Sequence, residues 1–360
     1  MPDRATEIAA TVKAAFEQQT PLNIIGAGTK SFLGREAVAA GRLDVTAHNG
    51  IVEYDPAELV MVARAGTPLL EIGKVLETNR QMFGFEPPFV DAGATLGGAV
   101  AAGLAGPRRA YTGAVRDFML GATFVNGKGQ VITAGGKVMK NVAGFDLFRP
   151  MARSMGTLGV LLEVALRVLP LPEFEKTLLH KETDELTALQ KMNQWPLQTQ
   201  AISATSWDGQ HIRIRLSGSA SGIEQARTQI GGDFVDGTDY WHDLNNFKLD
   251  FFQNKSNLWR VCLAPMSEPL GINGHQLIDW GGAQRWLKSD EPEVAIRLRA
   301  SRLSGYAECF SNSPEIATFH PLEGNILAAN RQFKAALDPL GILNPGRLYP
   351  EPQQHADQAR

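Results

Sequence analysis

Three stretches of the chain combine glycine with small polar residues: residues 26–34 (GAGTKSFLG), 93–103 (GATLGGAVAAG) and 156–160 (GTLGV). The first follows an apolar run, Leu22-Asn23-Ile24-Ile25. A strand running into a glycine-rich turn is a common way to hold phosphate. The type of loop is not a familiar one. A Rossmann G-x-G-x-x-G turn needs glycine where Ser31 stands, and a Walker loop needs four residues before its Gly-Lys-Ser/Thr, whereas Lys30-Ser31 here follow Thr29. One phosphate needs one loop. Three such loops suit a long ligand buried across a domain.

Other chemistry is thinly supplied. The histidines of the second half, His180, His211, His242, His275 and His320, include no pair at metal-ligand spacing, so no metal is expected. Cys262 and Cys309 lie far apart without a C-x-x-C partner, which excludes a self-contained thiolate iron-sulfur cluster and argues against a disulfide framework. A reducing compartment is the simplest reading. His320, in Thr318-Phe319-His320-Pro321, is the best lone candidate for a base, against the plainer reading of a packed histidine. Arg297 and Arg299 alternate through residues 296–303, and on a strand they share a face. They are candidates for a substrate carboxylate or a partner's acidic surface, with solvated arginines as the default. Trp241, Phe247, Phe251 and Phe252 read as core or subunit interface.

The elements that must position these residues are legible in part. The chain has 360 residues, 44% hydrophobic and 20% charged, with a net charge of -3. That suits two or three ordinary globular domains and gives no nucleic-acid footprint. The N-terminal 19 residues lack the apolar core of a signal peptide, and no apolar stretch is long enough to span a membrane. Ile8, Val12, Ala15 and Phe16 fall at helical spacing. Strands are expected at 22–25, 60–64 and 160–168, a helix from Pro68 to about Thr78, and a hairpin with arms 118–125 and 130–133 around Asn126-Gly127. Leu169-Pro170-Leu171-Pro172 marks the clearest boundary. Beyond it the pattern predicts a helix over 181–193, a hairpin 202–207/211–216, a helix over 222–230 and a helical segment 330–337.

Together these pieces resemble the FAD-binding domain of the vanillyl-alcohol oxidase / p-cresol methylhydroxylase (PCMH) superfamily, in its D-lactate dehydrogenase and glycolate oxidase branch. VEYDPAELV at 52–60 resembles that family's entry strand, and ATLGG at 94–98 its second flavin loop. YTGAVRD at 111–117 resembles its Y-G-x-x-R-D turn. GGKVMKNVAGFDL at 135–147 followed by GTLGV resembles a further signature, and LGILNPG at 340–346 its C-terminal one. Within the branch, the short length and the run KNVAGFDLFRPM are most similar to the smaller, E-type flavin subunits of bacterial glycolate oxidases.

The resemblance implies an α+β fold. It places a two-subdomain PCMH-type FAD-binding domain over 1–171, an α+β cap over 172–329, a segment 330–350 packing back on the FAD domain, and a flexible tail 351–360. It implies FAD, with cofactor-binding positions Gly26, Ala27, Gly28, Thr29, Lys30, Ala94, Thr95, Gly97, Gly98, Tyr111, Gly113, Asp117, Gly156, Gly159, Val160 and Asn344. The first loop would be the pyrophosphate loop, its consecutive N–H groups forming an anion nest. Lys30 either adds charge there or is solvated at the rim. Some relatives tether flavin through a histidine in this loop; none stands between Gly26 and Gly34, so the FAD is expected to be noncovalent. The implied partners are a larger, D-like flavin subunit and an F-like iron-sulfur subunit, in the cytoplasm or peripheral on the inner face of the inner membrane. Metal-using relatives carry an H-x-G-D-G-x-x-H motif, but this chain reads SGYAECF in the corresponding region, 304–310. The expected role is that of an FAD-carrying subunit of a complex oxidising glycolate to glyoxylate. A self-sufficient 2-hydroxy acid dehydrogenase is the alternative, and a scaffold that has lost flavin is a third reading.

Overall fold

The computed structural model describes residues 3–136, 146–253, 257–311 and 316–349. The middle of the 135–147 signature and the whole of the tail 351–360 lie outside the described residues. The helix Ala5–Glu17 buries Ile8, Val12 and Ala15, one stripe at helical spacing. The strand Leu22–Ile25 pairs in parallel with Gly41–Asp44. On its other side it meets the chain's far end: the Leu22 N–H donates to Ile342 O at 2.7 Å, and the Asn344 N–H to Leu22 O at 2.9 Å.

A five-stranded antiparallel sheet follows, in the order Ile51–Asp55, Val60–Arg64, Val160–Arg167, Met119–Val125, Val131–Gly135. The stretch that resembled a single entry strand is in fact two strands, turned around Asp55, whose carboxylate accepts from the Ala57 and Glu58 N–H groups. The short helix Leu96–Ala102 is composed of small residues and starts at Thr95, whose hydroxyl accepts from the Gly98 N–H. It presses on the end of the Val60–Arg64 strand: the Gly97 N–H donates to Ala65 O at 2.7 Å, and a Cβ on Gly97 would lie 2.7 Å from the Ala65 Cβ. Only glycine permits that approach.

Past Arg167 the chain builds an eight-stranded sheet: Asp233–Val235, Phe174–Lys181, His211–Gly218, Ile202–Trp207, His275–Asp279, Gln284–Lys288, Leu258–Cys262 and Tyr306–Cys309. Phe174–Lys181 is a strand that the pattern does not announce, and the helix expected from 181 begins at Glu185. Asp184 sets that start by accepting from the Thr187 N–H at 2.8 Å. The helical segment near the C-terminus is longer than expected, Gly324–Leu337.

Residues 293–302 form a helix, not the strand inferred from the alternating arginines. Val294, Ile296 and Leu298 mimic a strand's period of two, yet Val294 and Leu298 are exposed. The buried pair is Ile296 and Ala300, four apart.

The two sheets meet across a seam of two kinds. One part is apolar: Trp241, Phe252, Trp286 and Phe310 are buried together, with Phe32, Phe89, Phe247 and Phe251 against them and Ala102, Leu104 and Met155 from the opposite side. The other part is a ring of charge. Glu86 Oε1 accepts from Arg215 at 2.7 Å and Glu86 Oε2 from the Arg108 N–H at 2.7 Å, while the Arg108 guanidinium also reaches Glu175. Burial raises the pKa of Glu175, but Arg215 and Arg108 outweigh it, so the carboxyl is held below its ordinary range.

Candidate functional site

The turn after Leu22–Ile25 opens a cavity of about 200 Å³. Gly26, Ala27, Gly28, Thr29, Lys30 and Ser31 line one side, Thr95, Gly98, Ala101 and Ala102 another, and Met155, Asn344 and Arg347 close it. A narrower cavity of about 90 Å³ adjoins, lined by Gly26, Gly97, Gly98, Gly156, Gly159, Val160 and Asn344 among others. Residues from four distant parts of the chain are thereby brought around one space.

The loop's own chemistry is one-sided. Among the described residues, the N–H groups of Ala27, Gly28, Thr29 and Lys30 donate to no protein acceptor. Gly28 has φ +71° with nothing within 4 Å of where a Cβ would stand, so the turn is open on that side. Two cations line the cavity, Lys30 and Arg347, and no carboxylate does. Successive unpaired amides beside positive charge suit a phosphate or pyrophosphate. The residues present therefore fit the phosphate-bearing part of a dinucleotide. The cavity is smaller than the roughly 300–1,000 Å³ of a typical small-molecule site, so it would hold that part and not a whole flavin dinucleotide.

Lys30 is not a solvated rim residue: its side chain is buried, and burial pushes its ammonium down to about 8. Arg347 was missed in the sequence, although it directly follows the LNPG run. Its guanidinium donates to Arg35 O at 2.9 Å and reaches Lys30 O and Ser31 O at 3.4 Å, fastening the loop from the C-terminal side. Asn344 lines both cavities, but its amide serves the backbone: Oδ1 accepts from the Ile24 N–H at 2.6 Å and Nδ2 donates to Met155 O at 2.7 Å. It positions the site rather than offering a free polar group to it.

The remaining positions fall elsewhere. Ala94 is fully buried and its carbonyl accepts from the Leu69 N–H, behind the cavity wall. The Tyr111 hydroxyl lies 3.3 Å from Thr205 Oγ1 at the seam, and burial pushes its pKa up to about 12. Gly113 and Asp117 shape a turn in which Asp117 accepts from the Ala114 N–H.

The three candidates for substrate chemistry serve the fold. Arg297 bonds Glu293 and the carbonyls of Ala307 and Ala317. Arg299 donates to Leu270 O and Pro269 O at 2.7 and 2.8 Å. The pair therefore shares no ligand-binding face. His320 Nδ1 accepts from the Ala307 N–H, its Nε2 lies 3.2 Å from Ser301 Oγ, and burial lowers its pKa. None of the three lines the cavity.

A second polar patch lies on the inner face of the large sheet and carries no sequence signal. Glu308 pairs with Arg260 at 2.6 Å and with Arg153, which also donates to the Tyr306 hydroxyl. Beside them the Gln284 amide donates to Asp279 Oδ2 at 3.0 Å, and burial pushes the Asp279 carboxyl up to about 8. Among the described residues no His/Cys/Asp/Glu group of three or more could hold a metal ion. A larger cleft, about 610 Å³, lies beside Glu86, Glu175 and Arg215, whose charges already satisfy one another.

Comparison with known proteins agrees with this geometry. Residues 1–135 match the FAD binding domain family. The chain is 44% identical over 340 residues to glycolate oxidase subunit GlcE of Escherichia coli, covering 94% of this chain and 96% of that protein. It is 31% identical over 179 residues to glycolate oxidase subunit GlcD of Bacillus subtilis, covering 49% of this chain and 38% of that one. Among solved structures, a 4-ethylphenol oxidase from Gulosibacter chungangensis superposes with a TM-score of 0.69 at 13% identity, over 97% of this chain and 89% of that one. An alkyldihydroxyacetonephosphate synthase superposes at 0.64 and 15% identity, over 94% and 74%. At such identities the structural likeness establishes the fold alone.

Proposed function

The chain belongs to the FAD-linked oxidases, in the group of glycolate oxidase subunit GlcE, and on that premise we propose that it is the FAD-carrying subunit of a multi-subunit glycolate oxidase. The complex oxidises glycolate to glyoxylate and passes the electrons through flavin to a partner iron-sulfur subunit. The observation that carries this reading is the run of four unpaired amides, Ala27 to Lys30, facing a cavity with two cations and no carboxylate. FAD, when bound, supplies the capacity to take up two electrons and release them to an acceptor.

The chain's own residues do the holding. The amides of residues 27–30 take the pyrophosphate, and Gly28 leaves the approach open. The helix beginning at Thr95 and the loop at Gly156 and Gly159 wall the cofactor on its other sides. Asn344 and Arg347 keep the loop in shape. We assign residues 1–171 to the FAD domain, 172–329 to the cap and 330–350 to the returning segment. The FAD is held without a covalent bond, since no histidine stands in the loop. The partners are a larger D-like flavin subunit and an F-like iron-sulfur subunit. No helix among the described residues is long and apolar enough to cross a membrane, and we place the complex peripherally on the inner face of the inner membrane, held there through its partners.

The test is purification of the chain alone and with its partners. The chain alone is expected to be yellow, to release FAD on acid denaturation, and to reduce a dye with glycolate only slowly. Activity is expected on reconstitution. A colourless protein overturns the reading. Dye reduction by the single chain at the rate of the complex would make it a self-sufficient dehydrogenase instead.

A further inference from the structure

Residues 153–160 form a partition with a cavity on each side. Met155, Gly156 and Gly159 line the cofactor cavities. Arg153, Thr157 and Leu158 line a separate space of about 350 Å³, walled also by Leu327, Phe333 and Lys334 of the helix Gly324–Leu337. The returning segment divides in the same way: Asn344 and Arg347 line the cofactor cavity, Leu348 and Tyr349 the second one. This second space falls within the roughly 300–1,000 Å³ of small-molecule sites, and the FAD reading makes no use of it.

Its lining suits an acid with an apolar body. Leu158, Leu327, Phe333 and Leu348 supply apolar wall. Three cations line it and no carboxylate does. Two of the cations are spent on the fold. Arg153 pairs with Glu308 and the Tyr306 hydroxyl. Lys334 uses its three donors on Thr157 O, Leu343 O and Asp338, which pins the helix to the partition. The third, Arg331, is exposed and has no hydrogen-bond or ion-pair partner among the described residues. The neighbouring Asn330 amide and the Tyr349 hydroxyl also lack hydrogen-bond partners among them. Burial raises the Tyr349 pKa, so that hydroxyl stays protonated and can donate. A free guanidinium, an amide and a phenol at an apolar cavity are groups that hold a carboxylate.

We propose that this cavity is a second ligand site, taking a monocarboxylate with an apolar or aromatic body and using Arg331 as its counter-ion. Glycolate has no such body, so the ligand is an effector and not the substrate of the complex. The partition couples it to FAD. Arg153 and Met155 hold left-handed backbone, φ +66° and +52°, which residues other than glycine rarely adopt. Their N–H groups donate to Val100 O and Ala101 O, both at 2.9 Å, anchoring the partition to the helix beside the cofactor cavity. The helix on the other side is held less firmly, with Leu337 its only buried residue. A ligand that covers Leu327 and Phe333 tightens this helix against the partition, and FAD then meets a wall already ordered. Each ligand is expected to strengthen the other by one common factor. That coupling rests on the FAD reading above; the binding of the acid does not.

The probe is 3-phenylpropionate, which carries the carboxylate and the apolar body but no 2-hydroxyl to oxidise. Its neutral amide and glycolate are the controls. Calorimetric titrations use the full chain, FAD-loaded and FAD-free, as wild type, Arg331→Ala and Leu327→Trp, the last filling the cavity. Saturable binding of one phenylpropionate per chain is expected, weakened about tenfold in Arg331→Ala, as for one lost bond to a charged group. The amide is expected to bind wild type as weakly as the acid binds Arg331→Ala. Leu327→Trp is expected to bind neither, and glycolate not to compete. FAD content of both variants is expected to match wild type. Absence of saturable binding overturns the proposal, and so does equal binding by Arg331→Ala. Competition between the acid and FAD would place the acid in the cofactor cavity and also overturn it. Equal affinity for the acid with and without FAD overturns the coupling. Loss of acid binding when the partner subunits are added would make the cavity part of a subunit interface and overturn the effector site. Wild-type protein that takes up no FAD defeats the function assignment instead, and the FAD-free titration still decides the site.

Discussion

The loop at residues 26–31 and the inner face of the eight-stranded sheet both hold polar atoms that lack protein partners, and they do so in different ways. In the loop four consecutive amides without a protein acceptor stand beside an ammonium whose one hydrogen bond is to Thr29 Oγ1 and which has no carboxylate. On the sheet the unmet atoms are mixed, Arg260 Nε as donor and Asp279 Oδ1 and Gln284 Oε1 as acceptors. Their neighbours are balanced too, with Glu308 shared between Arg260 and Arg153. Unbalanced positive charge beside unpaired amides calls for an anion from outside the chain. A mixture can be largely resolved within it, and burial does so for Asp279 by favouring its neutral form. The same contrast separates Lys30 from the ring of Glu86, Arg108, Glu175 and Arg215, which joins the two sheets without needing a ligand.

The contrast breaks most readily at Gly28. Gly28→Val places a branched side chain at φ +71° over the open nest, straining the turn and crowding the anion. FAD affinity should fall by roughly 100-fold or more, the loss of about two hydrogen bonds to a charged group, while far-UV circular dichroism stays native. Full flavin occupancy in that variant would mean the loop holds something else.

Next in size is Arg108→Ala. It removes one of the two arginine partners of Glu86 and Glu175, which keep Arg215, and should lower unfolding stability by about 1–3 kcal/mol. Denaturant titration of the FAD-free protein measures it. If the ring is self-contained, the FAD dissociation constant should hardly move.

Asp279 sharpens the comparison through pH. Its folded pKa, about 8, lies above the ordinary carboxyl value of 3.8. The native state therefore holds a proton that the unfolded state has lost between those values. Its contribution to stability is present in full below about pH 4 and is lost as pH rises through 8. Melting temperatures measured from pH 5 to 9 should decline more steeply in wild type than in Asp279→Asn. Parallel curves would show that the carboxyl is already ionised. The smallest effect is expected for Arg299→Ala, roughly 1 kcal/mol from lost bonds to the Leu270 and Pro269 carbonyls. Flavin content and turnover should be unchanged; a fall in turnover at full flavin content would return Arg299 to the substrate site.

Features written in adjacent residues were legible. Asn126-Gly127 announces a hairpin, and its arms are strands. The glycine loop could be recognised because its amides act through the backbone, whose conformation a few neighbouring residues control. Features whose meaning depends on exposure misled. Arg297 and Arg299 alternate with apolar residues as on a strand, yet they lie on a helix whose Val294 and Leu298 face solvent. Phe174–Lys181 shows no alternation, since its sheet position and not its pattern decides which residues are covered.

What the sequence determined by itself is therefore local or cumulative. It carried the nest-forming loop, the order of the glycine segments, the absence of a tethering histidine in that loop, and the hairpins that local turn chemistry closes. Tertiary structure alone decided the rest. It brought Arg347 against the Lys30 and Ser31 carbonyls, more than 300 residues back along the chain. It turned Asn344 from a ligand candidate into a peg between Ile24 and Met155, and it buried Asp279 deeply enough to hold it neutral against neighbours that favour its charged form. It also left Lys30 buried without a carboxylate. A charge's partner and its access to water are properties of the packed molecule, and no spacing along the chain encodes them.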